Sequence, residues 1–221
     1  MIDPNDMATF TLTPTVLSII EMQKQTLERL LDDYPRLLAK EVDAFKKECR
    51  EQARRDSDGD REIEESLFNS SLEALSDTED MCDFFYQAMF IICFSYYESI
   101  IDLIAREKNL PEDTKIFELL KKLDIVLGDD AQKDLSYLKN VVRILRRNIA
   151  HHNEGAKKSD IPIIKAEVEA YPEDLRFIDG KVIVLRKDYI LNFLEKEYRI
   201  LIEIADKAGF KKKRVVNGKP E

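Results

Sequence analysis

The residues best suited to chemistry lie together in one short segment. Both histidines of the chain, His151 and His152, follow Arg146 and Arg147 by only a few positions. An imidazole with its pKa near 6.5 moves protons at neutral pH. A guanidinium offers a planar fork of donors to a phosphate group. This pairing is suited to acid–base chemistry at a phosphodiester.

Other common chemistries lack their residues. Glycine-rich phosphate-binding loops need clustered glycines. The six glycines of this 221-residue chain are scattered, which excludes loops of this kind. Two adjacent histidines cannot form an H-E-x-x-H zinc site, and Cys49, Cys82 and Cys93 form no C-x-x-C pair. The N-terminus lacks the basic region and apolar core of a signal peptide. We therefore expect a cytoplasmic protein with no metal, no cofactor and no membrane partner.

The first half of the chain predicts three helices. An apolar stripe from Leu27 to Cys49 indicates a long first helix, or a pair broken or kinked at Pro35, because proline disfavours helical geometry at the residue before it. A second helix is expected over residues 62–75. A third, over residues 79–107, is apolar on nearly all sides and should be buried. Its most apolar run, residues 84–97, is shorter than a membrane span.

The second half predicts three more helices and a hairpin. Proline in the first turn favours a helix start at Asn109–Glu112, with an end near Gly128. Apolar residues from Leu135 to Ile149 mark the next helix. Asp179-Gly180 between β-branched residues predicts a two-residue hairpin over residues 176–185. Asp188 is placed to cap a last helix. The predicted fold is a mostly α helical bundle with one small β-hairpin before the C-terminal helix.

We expect three parts along the chain. Residues 1–78 should form an N-terminal helical segment that packs on the bundle, and residues 79–207 the main helical domain. Residues 208–221, with the cluster Lys211–Arg214, should form a basic, disordered tail.

The direction of Arg147 has two interpretations. At about 100° per residue, the apolar stripe of its helix is centred almost opposite Arg147, which should point to solvent or a partner. Alternatively, arginines and histidines at a helix end simply face the negative end of the helix dipole. Spacing alone favours this second, structural interpretation.

The motif resembles that of a known family. Arg147, Asn148, three further residues and His152, followed by a polar N-x-G run, is similar to the R-x(4–6)-H motif of HEPN domains. These are all-helical nucleotide-binding or ribonuclease domains of toxin–antitoxin and antiviral systems. The apolar helix with its acidic Glu98, the hairpin and the closing helix also resemble parts of such proteins. The similarity covers about residues 80–206.

Helical geometry does not decide which arginine acts together with which histidine. Arg147 lies only about 40° round the helix from His151 but about 140° from His152. The family register selects Arg147 with His152, which requires the helix to loosen at its end. Arg146 with His151 also has a four-residue gap. We therefore keep His151 and Arg146 as alternatives.

The resemblance implies a metal-independent endoribonuclease in which the RNA 2′-hydroxyl attacks the adjacent phosphate. Arg147, His152 and Asn148 would be catalytic, with Asn148 orienting the pair or contacting the phosphate. Glu98 would hold Arg147 in place, although an acidic residue there is more often simply part of a polar helix face. One histidine cannot easily be both general base and general acid, so two motifs facing across a homodimer are expected. An antitoxin or a nucleotidyltransferase-like protein is a further possible partner.

Charge is distributed unevenly along the chain. The net charge of −9 argues against nucleic-acid coating of the whole surface. Residues 138–158, however, carry six lysines and arginines against one acidic residue. The expected RNA contacts outside the motif come from this segment: Arg143, Lys139, Lys157 and Lys158.

Two other functions compete with the ribonuclease. One is a non-catalytic HEPN-like module that binds a nucleotide or a protein. The other is a structural helical oligomer in which Arg146 and Arg147 serve only solubility.

Overall fold

The protein is mostly α-helical, with a small two-stranded hairpin before the final helix, as predicted. The computed structural model describes residues 15–73, 76–111, 113–151 and 155–210. Helices α1–α8, one π-helical segment π1 and strands β1 and β2 follow in this order: α1 (Val16–Asp56), α2 (Arg61–Glu73), α3 (Ser76–Glu107), α4 (Ile116–Lys122), α5 (Asp129–Tyr137), π1 (Leu138–Val142), α6 (Arg143–Ala150), α7 (Ile161–Ala170), β1 (Leu175–Ile178), β2 (Lys181–Val184) and α8 (Lys187–Lys207).

The core is centred on the contact between α3 and α8. Phe90 of α3 meets Phe193 of α8 edge to face, with 4.7 Å between the ring centroids. The first half of α1 belongs to the same core, since Ile20 and Leu31 are fully buried in it. The domain boundary predicted between residues 78 and 79 falls inside α3. The basic cluster Lys211–Arg214 lies outside the described residues.

Helix α3 is only partly enclosed. Phe84 and Ile92 are exposed, at 75% and 48%, so the expectation that this helix is buried on nearly all sides is wrong. Among the described residues, the stretch Phe84–Glu107 is long and apolar enough to cross a membrane, but 56% of its most apolar window is buried. Core helices of soluble proteins share this property, and the chain is consistent with a soluble protein. A cytoplasmic location stays a prediction.

Helix α1 is longer than its apolar stripe indicated and is not broken at Pro35. Thr15 starts it by accepting a 3.2 Å hydrogen bond from the Ser18 N–H on its hydroxyl oxygen. Proline removes only one N–H from the helical ladder. In a helix of 41 residues that loss does not interrupt the element.

The predicted helix start at Asn109–Glu112 is wrong. Asn109 has a φ of +54° and terminates α3, because the Leu110 N–H reaches back to the Ala105 oxygen at 2.9 Å. Helix α4 begins only at Ile116 and ends at Lys122. Gly128 does not end that helix but precedes α5, with its N–H donating to a Glu203 carboxylate oxygen at 2.6 Å.

The helix that carries the motif contains an unexpected wide turn. Elements α5, π1 and α6 run on without a gap from Asp129 to Ala150, and the π-helical turn changes the rotation between residues before and after it. A wheel of 100° per residue therefore does not hold across π1. The buried side still carries the predicted apolar residues: Leu135, Leu138, Val142, Leu145 and Ile149.

The hairpin is confirmed, one residue earlier than predicted at each end. Leu175 pairs with Val184 and Ile178 with Lys181 in an antiparallel register. Asp179 and Gly180 have φ values of +50° and +78°, the left-handed geometry that a tight two-residue turn requires. Asp188 does not cap α8, since Arg186 occupies the cap position. Asp188 lies in the first turn, where a negative charge favourably faces the helix dipole.

The core also encloses one acidic side chain. Glu197 of α8 is fully buried, and within the described ranges neither of its carboxyl oxygens has a hydrogen-bond partner. Burial raises the pKa of Glu197 well above its usual value, and the charge of Glu98 adds to this. Burial also raises the pKa of Cys93, Tyr96 and Tyr97 on the facing helix. Burial therefore favours the protonated form of Glu197.

We expect Glu197→Gln to make the protein more stable at pH 8. The unfolded chain releases this proton near pH 4.3 whereas the folded chain holds it to a higher pH, so wild-type stability falls as pH rises above about 4.3. The slope is about 1.4 kcal/mol per pH unit until the folded pKa is reached. Thermal unfolding from pH 5 to 8.5 measures the effect, with exposed Glu169→Gln as the control. A difference in Tm between variant and wild type that stays constant across this pH range would contradict the prediction.

Candidate functional site

A small pocket lies where α6 ends. It has a volume of about 200 Å³ and is lined by Arg147, Asn148, His151, Gly155, Ala156, Lys157 and Asp160. Helix α6 stops at Ala150, and His151 leaves helical geometry with φ −104° and ψ 52°. Arg147 and His151 therefore share one concavity. His152 lies outside the described residues.

Arg147 forms an ion pair that the sequence analysis missed. Its guanidinium donates to the Asp160 carboxylate, and the two side chains are 41% and 13% exposed. Arg147 is thus half-buried against the chain's own acid rather than fully directed to solvent. Asp160 precedes α7 at the position where aspartate usually caps a helix, yet its side chain makes no cap hydrogen bond. An aspartate at this position is ordinarily interpreted as a helix cap, so the sequence did not indicate that Asp160 pairs with Arg147.

Asn148 is committed to the hairpin. It is 5% exposed, its amide nitrogen donates to the Gly180 oxygen at 2.9 Å, and its amide oxygen accepts from the Val182 N–H at 2.7 Å. Both ends of the carboxamide are therefore engaged away from a phosphate. The Ala156 N–H donates to the same Gly180 oxygen at 2.9 Å. Asn148 shapes the pocket by joining α6 to the hairpin, and its catalytic role stays a prediction.

Glu98 contacts Arg146, and Arg147 pairs elsewhere. The Arg146 guanidinium lies 3.8 Å from the Glu98 carboxylate and 5.3 Å from the centroid of the Phe94 ring. The expectation that Glu98 holds Arg147 is therefore wrong. Arg146 and Arg147 follow each other in sequence but project into different concavities, as expected for neighbours on a helix.

The residues predicted to bind RNA divide between these two places. Lys157 lines the pocket with Arg147, whereas Lys139 and Arg143 line a larger groove with Arg146. Lys158 is exposed and lines neither. In the described part of the chain, no group of three histidine, cysteine or acidic side chains could hold a metal ion.

Comparisons with known proteins give no family for this chain. Neither a protein-family model, nor a curated protein, nor a solved structure matches it. The resemblance to HEPN domains therefore stays a prediction.

Proposed function

We propose that this chain is a metal-independent endoribonuclease of HEPN type that acts in toxin–antitoxin or antiviral defence. One observation supports the proposal above others: Arg147, His151 and Lys157 line the same pocket at the end of α6. A guanidinium that can bind a phosphate, beside an imidazole that can move a proton, suits phosphodiester cleavage without a metal.

The reaction forms one bond and breaks another at the scissile phosphorus. A histidine, His152 by the family register or His151 by its position in the pocket, takes the proton of the 2′-hydroxyl. The 2′-oxygen then attacks phosphorus, and a second, protonated histidine gives its proton to the departing 5′-oxygen. The products are a 2′,3′-cyclic phosphate and a 5′-hydroxyl.

Arg147 binds the charge that grows on the phosphate oxygens. A guanidinium has five N–H donors, so the ion pair with Asp160 leaves donors for a phosphate. Asp160 acts as a positioning residue that fixes the direction of the fork. It also offsets the charge of Arg147, so a phosphate meets less attraction than a free arginine would provide.

The active form is a homodimer with a composite cleft. Two motifs related by twofold symmetry would supply the two histidines that base and acid catalysis need. Sedimentation of the active protein tests this point, and a cleaving monomer would contradict it.

A non-catalytic HEPN-like binding module is the second candidate. The pairing of Arg147 with Asp160 favours it, because a neutralised arginine is a weaker phosphate ligand. Such a module would bind a nucleotide, an antitoxin or a nucleotidyltransferase-like protein in the cytoplasm.

Analysis of the RNA ends separates the two candidates. The ribonuclease should arrest growth when expressed, and the purified protein should degrade single-stranded RNA in EDTA. Its products should carry phosphatase-resistant 2′,3′-cyclic ends. Intact RNA after incubation, or products with 5′-phosphate ends, would contradict the proposed chemistry.

A further inference from the structure

A groove of about 530 Å³ borders the same helix but shares no lining residue with the pocket. Its walls come from α3, the segment leading into α4, and the continuous helix α5–π1–α6. Arg143 in this groove and Arg147 in the pocket are four residues apart, about 6 Å along the helix axis. A single extended strand can therefore reach both.

The groove has an aromatic lining that reaches the surface. Phe94 and Tyr97 are buried in its wall, and Phe117 of α4 stands at its edge, 49% exposed. An exposed phenylalanine beside an open groove offers a flat apolar face. Stacking on such faces is the general way in which proteins hold unpaired bases.

Four cationic side chains line the groove: Lys115, Lys139, Arg143 and Arg146. The Lys139 ammonium is 4.6 Å from the centroid of the Phe117 ring. Arg143 is exposed, and within the described ranges it has no ion pair or hydrogen bond. Arg146 is occupied by Glu98 and Phe94. The Lys115 side chain is exposed as well and has no ion pair or hydrogen bond in the described part of the chain, so Arg143 and Lys115 are both available to a phosphate.

Carboxylates also line the groove. Glu98 is paired with Arg146, while Asp102 of α3 is exposed and has no partner in the described part of the chain. Asp113 is a third acidic lining residue. A free carboxylate repels a phosphate but accepts hydrogen bonds from an exocyclic amine such as N4 of cytosine. The carboxylates are therefore suited to contact a nucleobase, and the cations are suited to contact the phosphate attached to it.

We propose that this groove binds one unpaired RNA base next to the scissile phosphate. The inference rests on the ribonuclease function and names its substrate subsite. Phe117 stacks on the base, Arg143 contacts the adjoining phosphate, and Asp102 accepts from the exocyclic amine. A nucleotide unit offers a flat base, a charged phosphate and an exocyclic amine, which match the aromatic ring, the cation and the carboxylate of the groove. A base-paired strand cannot enter, because the faces and edges of its bases are already engaged.

Binding of an uncleavable RNA tests the proposal. Fluorescence anisotropy in EDTA would follow a labelled 2′-O-methyl oligocytidine, whose blocked 2′-oxygen cannot attack. Phe117→Ala should weaken binding by about 5- to 150-fold, the usual effect of losing one base–aromatic stack. Phe84→Ala is the matched control, because this phenylalanine is 75% exposed on α3 and does not line the groove. Arg143→Ala should weaken binding and reduce its salt dependence.

Base preference supplies a second readout. The 2′-O-methyl oligouridine carries a carbonyl where cytosine has its amine and should bind more weakly than the oligocytidine. Asp102→Asn should reduce this difference. Equal binding by wild type, Phe117→Ala and Arg143→Ala would overturn the proposal, as would equal binding of duplex and single strand.

The failure of this proposal differs from the failure of the proposed function. If the protein binds the oligonucleotide through Phe117 but cleaves no RNA, the proposal for the groove holds and the proposed ribonuclease function fails. If variants that lack the Phe117 or Arg143 side chain cleave RNA as well as the wild type does, the ribonuclease function holds and the proposal for the groove fails.

Discussion

Replacing Arg147 with alanine is expected to lower the rate of RNA cleavage by about 10²- to 10³-fold, the usual effect of losing one donor to a developing oxyanion. Arg147→Lys should recover little of this rate, because an ammonium keeps the charge but not the bidentate fork. Exposed Arg29→Ala on α1 is the matched control and should cleave as wild type does. The measurement is single-turnover cleavage of a labelled single-stranded RNA in EDTA.

The ion pair complicates that experiment in a way that can be controlled. Removing Arg147 leaves the largely buried Asp160 carboxylate without its cation, which destabilises the fold independently of catalysis. The double variant Arg147→Ala/Asp160→Asn removes both charges and should unfold closer to wild type while remaining inactive. Full cleavage by Arg147→Ala would refute the site, and restoration of activity in the double variant would show that only stability had been lost.

Replacing Asn148 with alanine is expected to destabilise the protein by about 2–4 kcal/mol. The change leaves the Val182 N–H and one acceptor position of the Gly180 oxygen without their partner, and unsatisfied buried groups cost about 1–3 kcal/mol each. For a chain of this size, each kcal/mol lowers Tm by about 2–4 °C. Thermal unfolding followed by circular dichroism measures the shift.

A matched amide on the surface provides the control for Asn148. Asn140 is exposed, and its side chain donates only to the Ser136 hydroxyl one helical turn away. Asn140→Ala should change Tm by no more than about 2 °C. A similar small shift for Asn148→Ala would show that the hairpin does not depend on this side chain.

The sequence predicted the elements whose signals are local. The periodic apolar stripes and the Asp179-Gly180 turn depend on nearest neighbours, and both the helices and the hairpin are found. The helix start at Asn109 was wrong because asparagine can also adopt the left-handed geometry that ends a helix. Proline at position 111 is compatible with either arrangement.

The candidate site could be predicted in composition but not in its contacts. The placement of Arg147 near a histidine followed from their spacing. Glu98 was predicted to pair with an arginine of the motif, but its actual partner is Arg146 rather than Arg147. The pairing of Arg147 with Asp160, 13 residues away, had no signal in residue type. The hydrogen bonds of Asn148 to the hairpin could not be predicted either, because they span more than 30 residues of sequence.

A single carbonyl oxygen, that of Gly180, accepts hydrogen bonds from Asn148 within the motif and from Ala156 directly after it. A movement that separates Ala156 from the hairpin must break the second of these hydrogen bonds. The Ala156 amide should therefore exchange with deuterium only during such openings. Its exchange rate reports how often the segment is released, independently of any cleavage assay.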